Sequence, residues 1–593
     1  MFLTRISVPD WGFPENMSSY MKVESPDLSC CRRRTCCHQA ILPTSQSNQD
    51  VFQTPQPKIV FRHSLIQFHG RHRQYNMTSQ ESRTTETRDA EDSPSPTDID
   101  VEVLGRQRPA VFESWLSEVG FCSSLLGLML MGEYLVGGFH IILPQLASDL
   151  NIPSESQTWP SSVFSLVAGA CLLPFGRVSE KFGGYITFNI GLGWFFLWTL
   201  LSGFSHNYVM LIACRAMAGL GISAVLPAGM MMLGKTYRPG PRKNLVFALY
   251  GSFAPIGFFF GIFIGGLTGQ YLSWRWYFWV GSMILGVLIA ISFFSIPKDY
   301  GKKHELQMDW LGTVTIVPGL ALLIYALTDS SQAPEGWKSP QILVTLIVGV
   351  LLLAIGFYIE KCVASSPLLP HDLFSTKYIK TLMLALWLTY GVFGLFLFYS
   401  SFYIELVLHA SPLLTAAWYV PLAAGGVTIG LVGGFTLHLL PGRLLLILSG
   451  CGSVVCVLLF AIMPEDPSYW AYVFPSMVCA TIGIDIAFTV SNVHITTSLP
   501  QHHQGLAGAL INSLLFLGIS FWLGMADIAV HQTSDSGLRS SYKSAFWVGV
   551  GAASAAACLF STVRIGSASS DLTVEEKRQR ETAGQTALED HRR

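Results

Sequence analysis

The sequence predicts an all-α membrane protein of fourteen transmembrane helices, built as two six-helix halves with two extra helices between them. Three observations carry this. Of 593 residues, 50% are apolar and only 13% charged, about half the charged share of an ordinary soluble domain. From residue 113 onward, apolar runs of about 18 to 27 residues recur, the length a helix needs to cross a hydrocarbon core of roughly 30 Å. Cations, finally, collect in alternate loops between those runs, as membrane topology requires.

The first element, residues 1–112, holds 26 of the 75 charged side chains. It is rich in Ser, Thr, Arg and Pro and too polar to offset the entropy of ordering a core, so it reads as a disordered cytosolic tail. Met77 opens an ordinary polar N-terminus, and residues 1–76 are expected to be an over-extended gene model. A peptide upstream of Met77 from the native protein would overturn that. The sequons at Asn16 and Asn76 are expected to go unused because the tail is expected to be cytosolic. The opening MFLTRISVPDW lacks the apolar run of a signal peptide. The doublets Cys30-Cys31 and Cys36-Cys37 lack the spacing of a zinc site, and no metal is expected.

The fourteen predicted spans are 119–143, 157–175, 185–204, 208–232, 245–268, 277–296, 309–328, 341–359, 380–404, 412–436, 443–463, 469–492, 504–529 and 544–563. They group as a first half (113–300), the extra pair with its linkers (301–362) and a second half (363–565), followed by a cytosolic tail (566–593). An even count puts both tails on one side. The loops of that side carry thirteen Lys and Arg, against four (Arg275, Lys338, Arg539 and Lys543) in the opposite loops. The tails are therefore expected to face the cytosol. A duplicated carrier with its site near the midplane between halves has this layout.

Several motifs test that reading. Gly229 to Thr236 spells the pattern of a nucleotide-binding loop, G-x-x-x-x-G-K-[ST]. Three Met and a Leu fill it at the end of an apolar run, where no water-exposed phosphate cradle can form. Net charge near −1 and pI near 6.9 give no sign of nucleic-acid binding.

Ionisable groups deep in the spans are few: Glu133, Arg215 and Asp485 are the three clear charges. An arginine inside a span costs about 2.5–3.5 kcal/mol on insertion scales unless it faces a cavity or partner. Glu133 and His140 share a face of the first span, seven residues apart, as do Asp485 and Asn492 in the twelfth; Asn512 lies in the thirteenth. A proton-coupled carrier needs a carboxylate that takes and releases a proton as its solvation alternates. Glu133 and Asp485, one from each half, are the candidates, with His140, Arg215, Asn492 and Asn512 as further pathway residues. Alternative roles are an interfacial Glu and an Asp that holds helices together.

The segment joining the second and third spans, GRVSEKFGG, resembles a loop of the major facilitator superfamily: Gly176, Glu180, Lys181 and Gly183 fall on its pattern, and Gly184 and Tyr185 replace its basic pair. That resemblance implies a gating charge latch with neighbouring helix ends. Arg215, followed by Gly219 and Gly221, resembles the family's second motif. Gly257, Gly261, Gly265 and Gly266 resemble its antiporter motif, with Ile262 where that motif places Pro. Small residues at this spacing also let helices approach closely, as Gly426, Gly430 and Gly434 do in span ten. The run from Ser273 to Trp279 is similar to the fourteen-helix drug:proton antiporters, including fungal-type efflux pumps.

The resemblance implies a monomeric carrier of small, mainly apolar organic compounds, drugs or secondary metabolites, in the plasma membrane. It would exchange them for protons and need no cofactor beyond the proton gradient; it is not an enzyme. Uptake of a nutrient, transport without proton coupling, and a non-transporting receptor are the alternatives.

Overall fold

A computed structural model describes residues 107–565, apart from 154–155, 239–240, 299–307, 332, 334, 365–366, 369–376, 437–439 and 499–503. Residues 1–106 of the first tail and all of the second (566–593), with the Met77, sequon and cysteine-doublet expectations, lie outside the described residues.

The described chain is all helical, and fourteen of its segments are long and apolar enough to span a membrane. The first half comprises α1 (Trp115–Asp149), α2 (Trp159–Phe182), α3 (Gly184–Ser202), α4 (Tyr208–Thr236), α5 (Pro241–Tyr271) and α6 (Trp274–Ser295). The extra pair is α7 (Trp310–Asp329) and α8 (Pro340–Cys362). The second half holds α9 (Ile379–Phe402), α10 (Pro412–Trp418), α11 (Val420–Thr436), α12 (Gly442–Ala461), α13 (Phe474–Ser498), α14 (Gln504–Gln532) and α15 (Leu538–Thr562). The tenth span is thus broken between α10 and α11, and a five-residue π-helical turn, Tyr403–Val407, ends the ninth.

Polar caps set several ends. Ser114 and Ser117 form a capping box at α1, Asn207 accepts from the Met210 amide (2.8 Å), and Asp309 accepts from that of Gly312 (2.8 Å). Each satisfies an amide the first helical turn leaves free. The first helix begins four residues earlier than its apolar run, which brings Glu118 inside it. The segment from Gly176 to Phe182, expected as a loop, continues α2 as its last turns, where Lys181 suits the carbonyl end of the helix dipole. Only Gly183 turns the chain, at φ 99°, a conformation that costs glycine nothing. The nucleotide-loop pattern also lies within α4, so its amides serve the helix.

Close helix contacts follow the small residues. A Cβ on Gly257, Gly261 or Gly265 of α5 would stand 2.2, 2.4 or 2.7 Å from the carbonyl oxygens of Leu130, Tyr134 and Gly138 on α1. The first glycine ladder therefore holds α1 and α5 backbone to backbone. Gly219 and Gly221 do the same for α4 against Phe164 of α2 and Phe195 of α3. The halves meet along two flanks. On one, Gly169 of α2 abuts Leu517 of α14, and the Ser520 hydroxyl donates to the Ser162 carbonyl (3.1 Å). On the other, Gly266 abuts Ala416, Gly426 abuts Pro255, and Gly430 lies against Ser252.

The extra pair is asymmetric. Helix α7 packs on α2 and α14, so it bridges the first flank, whereas α8 packs chiefly on α7. In α8 only Ile342, Gly349 and Gly356 are buried.

Candidate functional site

The interior site is built around α1, the most buried span. Glu133 lies midway along it between buried neighbours, yet is itself only half-buried. Asp485, midway along α13 in the other half, is also half-buried. The two carboxyl groups are near enough for their charges to interact.

Second-half residues fix the aspartate. Thr481, one turn earlier on α13, donates its hydroxyl to Asp485 Oδ2 (2.5 Å), and that oxygen sits 2.9 Å from where a Gly426 Cβ would be. Glycine at 426 therefore makes room for both the carboxylate and Pro255 of the first half. Tyr250 of α5 lies near Glu133 and Tyr390 of α9 near Asp485. Both tyrosine hydroxyls are buried without a hydrogen-bond partner, an expensive state for a polar group shielded from water. Neither tyrosine stood out in the sequence, because a lone Tyr in an apolar run matches ordinary core.

Arg215 occupies a separate place, nearer the face of the first half opposite the one bearing the chain ends. Its Nε donates to the Pro160 carbonyl (2.5 Å) and Nη1 to that of Leu135 (3.4 Å). The guanidinium carbon lies 3.6 Å from the Phe139 ring centroid and 4.9 Å from that of Phe164. Carbonyls and aromatic faces, rather than a carboxylate, thus hold this cation. His140 is close by, its ring edge-on to Phe398 of the second half at 6.0 Å and its Nδ1 unpaired. It stands two turns, about 10 Å, further along α1 than Glu133. Asn512 donates to the Gly508 carbonyl of its own helix (2.9 Å), and Asn492 lies two turns along α13 from Asp485.

On the face bearing the chain ends, Glu180 pairs with Arg177 (3.1 Å) within α2. It is Arg177, not Glu180, that reaches across, donating to the Pro367 carbonyl in the linker before α9 (2.6 Å). Gly176 packs at ordinary distance against Ala509.

Two buried acids, Glu118 and Asp527, and a half-buried one, Glu405, went unnoticed in the sequence. Glu118 is gripped by Arg242, with Nε to Oε1 at 2.9 Å and Nη2 to Oε2 at 2.6 Å, and Tyr237 adds a hydrogen bond (3.1 Å). Hydrogen bonding to that carboxylate pushes the Arg242 guanidinium above its ordinary pKa. Asp527 accepts from Ser331 (2.8 Å), beyond the end of α7. Glu405, in the π-helical turn, has one oxygen buried without a partner. Glu118 and Glu405 fell just outside predicted spans, and Asp527 sat near the end of one.

A family model described as Major Facilitator Superfamily matches residues 122–523. The low affinity ammonium transporter of Saccharomyces cerevisiae is 33% identical over 454 residues, covering 74% of this chain and 87% of its own. Efflux pump terJ of Aspergillus terreus is 30% identical over 464 residues, 76% of this chain and 88% of its own. The S. cerevisiae aminotriazole resistance protein is 31% identical, covering 71% and 79%. Among solved structures, an auto-inhibited POT family peptide transporter aligns with a TM-score of 0.54 at 15% identity, over 77% of this chain and 99% of its own. The last is a likeness of fold.

Proposed function

The chain belongs to the major facilitator superfamily, and on that premise we propose that it is a proton-coupled exporter of small, mainly apolar organic compounds. The observation that carries the coupling is a half-buried carboxyl group midway along a span in each half, Glu133 of α1 and Asp485 of α13, with no ion pair to either among the described residues. Two such carboxylates cannot both stay charged in a confined space without a compensating cation. One proton taken from outside and one substrate released there, in successive orientations of the halves, satisfies that constraint. Alternating exposure then follows from differential binding in the two states.

Export is supported by the likeness to efflux pump terJ, and the thirteen-to-four cation bias supports cytosolic tails. The expected setting is the plasma membrane, with the protein acting as a monomer, the proton gradient as coupling source and no resident cofactor. Drugs and secondary metabolites are the expected cargo. A second reading, uptake, is favoured by the 33% identity to an ammonium transporter.

Proteoliposome flux under an imposed pH gradient tests the proposal. Efflux of a loaded dye should rise with an inward proton gradient, and Asp485→Asn and Glu133→Gln should abolish that dependence. Unchanged gradient dependence in both variants would reject the coupling assignment, and gradient-driven accumulation in the inward direction would favour uptake.

A further inference from the structure

The tenth span belongs to the second half by sequence, yet its first segment is attached to the first. Helix α10 packs chiefly on α5 and also touches α1, with fewer contacts to α11 and to the π-helical turn of its own half. The fit is close along the last turns of α5. A Cβ on Gly266 would stand 2.7 Å from the Ala416 Cβ and 3.1 Å from the Pro412 carbonyl oxygen, and one on Gly269 would stand 3.5 Å from the Pro412 Cβ. At the next residue Gln270 Oε1 accepts the Leu413 amide (3.3 Å), a donor that the first turn of α10 leaves free.

Immediately after α10 the attachment changes sides. The buried Tyr419 donates its hydroxyl to the Leu397 carbonyl of α9 (3.3 Å), and that hydroxyl lies 2.5 Å from Ser400 Oγ. Six residues on, a Cβ at Gly425 would stand 2.4 Å from Thr481 Cγ2 of α13. Between the two attachments the helix is interrupted. Pro421 has no amide to offer the Ala417 carbonyl, so the turn joining α10 to α11 lacks a bond and bends easily. Trp418, the last residue of α10, reaches the second half with its ring 5.3 Å from that of Tyr469. Nearby, the end of the ninth span stands off from the first half: a cleft of about 350 Å³ opens between Pro144 and Ala147 of α1 and Phe402 and Leu406.

From these placements we infer that the mechanical boundary between the halves crosses the tenth span at Tyr419. Helix α10 is a gate segment that rides on α5, while α11 moves with α9 and α13 and the turn before Pro421 is the hinge. A rigid tenth span would have to pull the Gly266 and Gly269 contacts and the Gln270 bond apart each time the halves part on this face. A hinged one keeps them and changes backbone torsions only where a helical bond is already missing. This requires that the halves part, and neither a particular cargo nor proton coupling.

A cross-link from α10 to α5 separates the hinged span from the rigid one. In Gly269→Cys/Pro412→Cys the Cβ atoms stand 3.5 Å apart, within disulfide range. Rhodamine 6G efflux from proteoliposomes of the full-length variant is compared before and after oxidation, with oxidised wild type as the control for native cysteines. The completed cross-link should leave at least half the reduced rate. Adding Pro421→Ala, which restores the missing amide, should make the same cross-link cost at least fivefold. A tenfold loss from the cross-link without Pro421→Ala would overturn the inference, as would failure of the pair to oxidise. Distances between spin labels in nanodiscs at pH 5 and pH 8 need no cargo and use three exposed positions. The Leu414→Cys/Leu272→Cys distance, from α10 to the end of α5, should stay single and fixed, while Leu414→Cys/Leu538→Cys, from α10 to the start of α15, should shift or split. Equal shifts in both pairs, or a shift in neither, would overturn the hinge. Wild-type protein that moves no dye counts against the exporter reading and leaves the distance test standing.

Discussion

Replacing Gly261 by alanine probes the contact that fixes the position of Glu133. The new methyl would lie 2.4 Å from the Tyr134 carbonyl oxygen and 2.8 Å from its Cα, where ordinary contacts begin near 3.4 Å. The two backbones must therefore separate by 3.4 − 2.4, about 1 Å, and neither side offers a flexible chain end to yield. Overpacking of this kind costs about 1–3 kcal/mol. The same carbonyl accepts the Tyr277 hydroxyl, while Tyr134 donates to the Tyr277 carbonyl at 2.7 Å. Disturbing that reciprocal pair adds about 1 kcal/mol. The sum, about 2–4 kcal/mol, corresponds to a fall of roughly 4–16 °C in Tm if the first half melts as one unit, at about 2–4 °C per kcal/mol for a unit of that size. The assay is thermal unfolding of detergent-purified protein followed by intrinsic fluorescence, with Gly193→Ala as control, since a methyl there meets nothing within 4 Å. If Gly261→Ala melts within a degree of Gly193→Ala, the reading of the glycine ladder as a backbone contact is wrong.

Arg242→Ala leaves the Glu118 carboxylate, 7% exposed, with the Tyr237 hydroxyl still donating to it; breaking a buried pair costs about 3–5 kcal/mol, which the 31% exposure of Arg242 reduces to about 2–3, and adding Glu118→Gln should recover part of the lost Tm. Arg215→Lys gives up the planar stacking on Phe139 and the Nε bond to Pro160, so a loss of about 2 kcal/mol is expected, and a Tm equal to wild type would contradict it. Across the second flank, a Cβ at Gly430 would lie 3.8 Å from Ser252 Cβ, within disulfide range. Oxidised Ser252→Cys/Gly430→Cys should transport at least tenfold more slowly than its reduced form; full transport with the cross-link complete would show that this flank does not part.

The helices were legible because an apolar run of bilayer length seldom occurs in a chain except to cross a membrane, and the cation bias fixed their number. Glu133, Arg215 and Asp485 were legible as costly intramembrane charges. Which of them meet was not, since helix order around the interior depends on contacts hundreds of residues apart. Asp485 faces Pro255 of the first half across Gly426, whereas Arg215 is enclosed by phenyl rings that look like ordinary core in the sequence. The two glycine ladders were equally visible and play different parts: the first welds α1 to α5, while Gly426 and Gly430 of the second face the other half. Glu118 was missed for a local reason, because a polar first turn lies outside any hydropathy window yet still belongs to the helix.

The placement of α7 gives the molecule a handedness that a bare twelve-helix carrier lacks. Packed across both α2 and α14, with Tyr325 beside Trp159 (5.5 Å between rings) and Ser331 bonded to Asp527, it is bound like tape along the spine of a book. The fore-edge is the opposite margin, where Gly426 and Gly430 touch Pro255 and Ser252 and no described helix forms a third layer behind them. If the halves rock as a carrier's must, this binding predicts the wider opening at the fore-edge, beside which Asp485 lies.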